Sequence, residues 1–209
     1  MSKTYGEGTE MTDELERLIA RDSALCAAMA DELEAYLKSS ELFWEPDRRR
    51  FAGVELPKLT LGGLLLAMRR LETLRQRLSP DPSQTLARIG RELSFHRAQW
   101  RLRYQNKLAR DLRSRLDTWA WYLEDCQQHR ETAIVHYPRQ VETRAKIDLL
   151  LDEALEAGLD SEPFRERLVN LDERLRSVFG PGEFCWMEPL TGGFPSERFW
   201  YLYGQLEEV

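Results

Sequence analysis

Apolar residues recur at spacings of three and four along almost the whole chain, and no segment alternates apolar and polar positions long enough to argue for a sheet. The pattern predicts an all-α protein. A first helix is expected after Thr12, a capping residue followed by Asp13 and Glu14 in the favourable first turn. Its apolar face runs Leu15, Leu18, Ile19, Leu25, Cys26, Met29, Leu33, Tyr36 and Leu37, and Asp22 interrupts it. Residues 40–59 hold Pro46, Gly53, Pro57 and the run Arg48, Arg49, Arg50, which predicts a loop anchored by Phe43 and Trp44. Thr60 can cap a second helix that buries Leu61, Leu64, Leu65, Met68, Leu71, Leu74 and Leu78.

Between Ser83 and Pro138 there is no proline, and no glycine follows Gly90 until Gly158. One long helix over residues 83–136 is implied, with a seam of Leu86, Ile89, Leu93, His96, Trp100, Tyr104, Leu108, Leu112, Leu116, Trp119, Leu123 and Cys126. Unbroken, it would be ~75 Å long, against a radius of gyration of ~17 Å for a compact domain of this length. Either the molecule is elongated or the helix breaks, and Asn106 and Asp117–Thr118 are the poorest helix-interior residues in it. Pro138 fits the first position of a fourth helix ending at Gly158, and Ser161 and Pro163 open a fifth that stops at Gly180. The remaining tail is aromatic and turn-rich, with Ser196 as a cap for a last helical turn through Tyr203.

The expected architecture is therefore an elongated bundle of about five helices around one long central helix, with aromatic-rich connecting and C-terminal segments. Residues 1–12 form a flexible N-terminus, and residues 13–209 a single domain carrying its tail, residues 181–209, packed on it. A content of 42% apolar and 32% charged residues is that of a soluble folded chain. The first dozen residues lack an apolar signal core, and the longest apolar run, residues 64–68, is too short to span a bilayer, so a cytoplasmic protein without membrane association is expected. Cys26, Cys126 and Cys185 fit neither a disulfide framework nor a zinc pattern. Phe43-Trp44-Glu45-Pro46 and Trp186-Met187-Glu188-Pro189 each lead to a Gly-Gly pair, read as Trp-anchored turns in which glycine permits close backbone approach.

Candidate chemistry is sparse. His96 has Glu92 one turn before it, but its place in the seam marks a structural histidine. Asp125, His129 and His136 share a face without making a recognised metal signature, Cys126 and His129 lie one turn apart, and neither Gly-Gly pair belongs to a P-loop. No catalytic, cofactor or metal residue is assigned, and no cofactor is expected.

Charge alters this picture. Residues 46–117 carry 17 Lys+Arg against 7 Asp+Glu in a chain of net charge −6. On the long helix the cations divide: Arg97, Arg101 and Arg115 flank the seam, where acidic helices can meet them, while Arg91, Arg103, Lys107, Arg110 and Arg113 gather on the far side with Phe95, Leu102 and Trp121. Arginine mixed with large apolar groups is the composition of a protein-protein interface. The expectation is a non-enzymatic scaffold or interaction module, a homodimer or bound to another protein. The alternative is a nucleic-acid-binding protein using the basic helix over residues 91–115.

Overall fold

The computed structural model describes residues 4–51 and 53–207, with the backbone alone described at residues 4–10, 48 and 50. Six α-helices make the bundle: α1 (Thr4–Lys38), α2 (Leu61–Thr73), α3 (Pro80–Gln99), α4 (Arg101–Gln128), α5 (Arg130–Glu156) and α6 (Glu162–Arg176). A two-stranded antiparallel ribbon, β1 (Phe179–Phe184) with β2 (Tyr203–Leu206), closes the chain. The fold class is all-α, as the periodicity predicts. No helix among the described residues is long and apolar enough to cross a membrane.

Local signals explain most boundaries. Thr60 caps α2 by accepting from the Gly63 amide at 3.0 Å. At the end of α5 the Leu159 amide donates to Ala154 O and the Gly158 amide to Leu155 O, the paired bonds of a Schellman stop. Gly158 has φ +66°, the left-handed backbone this stop requires. Elsewhere the expectations fail. Among the described residues α1 runs from Thr4, nine residues before the expected first helical position at Asp13. Pro138 lies inside α5 rather than at its start. It cannot donate to Ile134 O, and the indole of Trp186 donates to Pro138 O at 2.8 Å, so the C-terminal tail binds the helix where its own ladder is weakened.

The long run over residues 83–136 is three helices separated by single residues, Trp100 (φ −115°, ψ 37°) and His129 (φ −131°, ψ 58°). Helix α4 passes unbroken through Asn106, Asp117 and Thr118. The Thr118 hydroxyl donates to Ser114 O at 2.8 Å, so it does not compete for the backbone as expected. At Trp100 the ring is flanked by the Lys38 ammonium at 4.6 Å and the Arg103 guanidinium at 6.0 Å. At His129 the chain reverses into a long α4–α5 hairpin, tied by Tyr122 to Ala133 O at one end and Tyr104 to Glu153 at the other.

Helix α2 runs antiparallel to both α1 and α5, since Arg70 meets Asp22 and Glu142 while Gly62 at its other end meets Leu150. Helix α3 lies along α1, with Arg88 on Asp31. The seam residues Tyr104, Leu108, Leu112, Leu116 and Trp119 are wholly buried. The expected last helical turn is a single 3-10 turn, Trp200–Leu202, leading into β2. The tail packs on α5 through Tyr137, whose hydroxyl donates to Tyr201 O at 2.7 Å. Phe179, Phe184, Trp186, Phe194 and Phe199 join it in a series of ring contacts.

Candidate functional site

The eight residues singled out for interaction do not share one fate. Phe95, Leu102 and Trp121 stand 58%, 75% and 69% exposed on the outer sides of α3 and α4, which is unusual exposure for side chains of this size. Arg91, Arg103, Arg110 and Arg113 are exposed as well. Lys107 is only 3% exposed. Its ammonium donates to Ser39 Oγ at 3.1 Å and to Glu41 O, and it lies 4.2 Å from the Tyr36 ring centroid. Burial, helped by the neighbouring charge of Arg110 and opposed by Glu41, pushes the Lys107 amine down to about 8. As a surface contact for a partner Lys107 is therefore corrected: it is an internal anchor.

Arg103 and Arg110 act in the same place. Arg103 donates to Lys38 O at 3.2 Å and Arg110 to Ser40 O at 2.6 Å. Three cations one turn apart on α4 thus gather the carbonyls at and just beyond the C-terminus of α1, where the helix leaves unpaired acceptors and partial negative charge. Two shallow depressions, of about 380 and 280 Å³, share Arg110 and Arg113 and follow the outer side of α4 as far as Trp121.

The inner set behaves as expected in part. Arg97 meets Glu153 of α5 at 3.0 Å. Arg115 instead bonds Asp111 of its own helix at 3.0 Å and the Thr60 hydroxyl at 3.0 Å. His96 is buried, 3.6 Å from Glu92 and edge-on to Phe95, leaving a general base no open cleft to work in. Asp125 and His129 pair at 2.9 Å on the surface. Among the described residues no three His, Cys, Asp or Glu side chains are placed to hold a metal ion. Cys26 and Cys126 are buried and Cys185 is half-buried, burial pushing its thiol up to about 12.

What the periodicity missed is a charged cluster inside the bundle. Asp22 of α1, Arg70 of α2, and Glu142 and Lys146 of α5 converge: Arg70 Nη2 reaches Glu142 Oε1 at 2.5 Å, and Lys146 Nζ reaches Glu142 Oε2 at 3.3 Å. Arg21 donates twice to Asp22 Oδ1, each at 3.1 Å. Burial raises the Asp22 carboxyl against the opposing pull of Arg70 and Arg21. Burial would raise Glu142 too, but Arg70 and Lys146 outweigh it and hold that group at about 2. Two carboxyls in one cluster are thereby driven in opposite directions. The sequence signal was the break Asp22 makes in an otherwise apolar face.

No protein-family model, curated protein or solved structure matches this chain.

Proposed function

We propose that the protein is a non-enzymatic helical-bundle interaction module that associates with a second copy of itself through the outer side of α3 and α4. The observation that carries this reading is the exposure of Phe95 on α3 and of Leu102 and Trp121 on α4, helices that also expose Arg91, Arg103, Arg110 and Arg113. A second copy is favoured because the same chain offers a complement. Glu162, Glu166, Val169 and Glu173 follow one another at spacings of four, three and four along α6, and all are exposed, Val169 at 57%. An acidic stripe with an apolar centre complements a basic surface with apolar centres in charge and in chemistry.

The nucleic-acid reading draws on the same helix, but it has less to work with. Lys107 is buried, and Arg103 and Arg110 each spend donors on backbone carbonyls, which reduces the cations free to neutralise phosphates. Sedimentation velocity from ~1 μM to ~1 mM protein, at low and high salt, tests the choice. Mass should rise with concentration and fall with salt. Leu102→Asp should weaken association by at least about tenfold without changing the thermal midpoint, since the side chain it replaces is 75% exposed. A strictly monomeric species throughout, or low-salt binding of a single-stranded oligonucleotide that Leu102→Asp leaves intact, overturns the proposal.

A further inference from the structure

The buried charged cluster forms one wall of a cleft of about 1130 Å³ between α1, the loop at residues 53–57, α2 and α5. It lies apart from the outer side of α3 and α4. Leu25, Leu56, Leu66 and Ala67 give it an apolar floor, and all four are buried. A concave surface with an apolar floor and a few converging polar groups is the usual form of a small-molecule site.

Two atoms in this wall are unsatisfied. Asp22 is 2% exposed, and while its Oδ1 takes both bonds from Arg21, its Oδ2 has no hydrogen-bond partner. Arg70 Nη1 is 3.9 Å from Oδ2, too far for a hydrogen bond. Arg70 is itself 5% exposed and its Nε is likewise without a partner, although its Nη2 is committed to Glu142 and its guanidinium lies 4.8 Å from the Trp186 ring centroid. A buried acceptor and a buried donor left open in one wall are rare, because each carries the full cost of its lost hydration. A group that both donates and accepts, a hydroxyl above all, satisfies the pair.

The charge of the walls adds the second half of the specification. Arg17, Arg21, Arg70, Arg139 and Lys146 line the cleft against Asp22, Glu55 and Glu142, so cations are in excess. Arg70 and Lys146 are already matched to Glu142, and Arg21 Nε and Nη2 to Asp22, which leaves the excess with the exposed Arg17 and Arg139 and with the Nη1 edge of Arg21. Guanidinium groups at a partly open rim favour phosphate or carboxylate oxygens.

We propose that this cleft binds a small polyol bearing one anionic group, a phosphate or a carboxylate, with a hydroxyl donating to Asp22 Oδ2 and the anion held by Arg21 and Arg139. The hydroxyl end is read by buried, fixed groups and the anion by flexible ones, so the inner contacts set specificity and the rim sets affinity and salt dependence.

Isothermal titration calorimetry of the full chain with glucose 6-phosphate and with gluconate, against glucose and inorganic phosphate alone, tests the proposal and separates the two anion types. At least one of the first pair should bind at least about tenfold more tightly than either fragment. Arg139→Ala, a change at an exposed position, should lower that affinity by about tenfold or more and leave the circular dichroism unchanged. Asp22→Asn, which keeps the shape, should abolish the preference for the hydroxylated anion over inorganic phosphate. If neither hydroxylated anion binds below ~10 mM, or if inorganic phosphate binds equally well and Arg139→Ala is silent, the site is wrongly assigned.

Discussion

Asp111 offers the most direct test of how the helices are held in register. It is wholly buried in α4, where its Oδ2 accepts from the Gly62 amide of α2 at 2.7 Å and its Oδ1 from Arg115 at 3.0 Å. The Gly62 amide is one of the unpaired donors in the first turn of α2, so the carboxylate serves as a helix cap supplied by another helix and also meets the positive end of its dipole. Glycine is needed there for closeness: a Cβ at position 62 would stand 3.0 Å from Leu150 Cδ1 and 3.2 Å from Asp111 Oδ2. Each hydrogen bond to a charged group contributes about 1.5–3 kcal/mol, and removing one member of a buried pair costs about 3–5 kcal/mol because the other is stranded. Asp111→Ala should therefore destabilise by about 4 kcal/mol, a large part of the 5–15 kcal/mol typical of a domain. Asp111→Asn keeps an acceptor for Gly62 and gives up the ion pair, for which about 2 kcal/mol is expected. Urea unfolding followed by far-ultraviolet circular dichroism measures both. This role for Asp111 is refuted if Asp111→Ala costs less than about 1 kcal/mol, or if the two variants are indistinguishable, since then no acceptor at this position holds α2 to α4.

Lys107 makes a pH-dependent prediction. Its amine lies at about 8 in the folded protein, against an ordinary value of 10.5, so the folded state releases the proton first. Its penalty on stability is in full force below pH 8 and fades as pH rises towards 10.5, so the stability difference, wild type minus Lys107→Met, should climb across that window by no more than about 3 kcal/mol. Buried tyrosines and cysteines, which burial pushes upward in the folded state and which titrate in this range only when unfolded, contribute alike to both proteins and cancel in the difference, and a flat difference refutes the prediction. Gly193 tests close packing of the tail on α2, because a Cβ there would lie 1.8 Å from Thr73 Oγ1 and 2.9 Å from Thr73 Cβ. Gly193→Ala should cost about 1–3 kcal/mol in urea unfolding, while Gly192→Ala, whose added Cβ meets nothing, should stay within about 0.5 kcal/mol.

Side-chain periodicity revealed the buried faces because burial of α1, α2 and α4 follows the helical repeat closely: Leu33, Tyr36, Leu64, Leu71, Leu108 and Leu112 are all wholly enclosed. Thr60 and Gly158 were readable because a cap and a left-handed stop are local devices, complete within a few residues. The breaks were not readable, because Trp100 and His129 are unremarkable within a helix, and at Trp100 the ring lies against Lys38, a residue far away in sequence. Pro138 misled because α5 continues through it at the cost of one ladder bond, and the packing that holds the helix there, including Trp186 on Pro138 O, comes from 48 residues away. The cleft was hidden for a third reason. Asp22 breaks an apolar face, but Arg70 and Glu142 each look like an ordinary charge on its own helix, and only the packing of α2 against α1 and α5 brings the three together.

The same distinction bears on the basic helix. Sequence divides its cations into those flanking the seam and those opposite, but the opposite set divides again once the end of α1 arrives beside it. Arg103, Lys107 and Arg110 hold the carbonyls of Lys38, Ser40 and Glu41, so changing any of them to an acid sets a negative charge against the negative end of α1 and loosens the bundle. A loss of partner binding in such a variant would report unfolding as readily as contact. Arg91, Leu102, Arg113 and Trp121 can be changed without touching that anchor. The biological use of this surface should therefore be sought through those four, with Lys107 as the control that separates damage to the fold from damage to the interface.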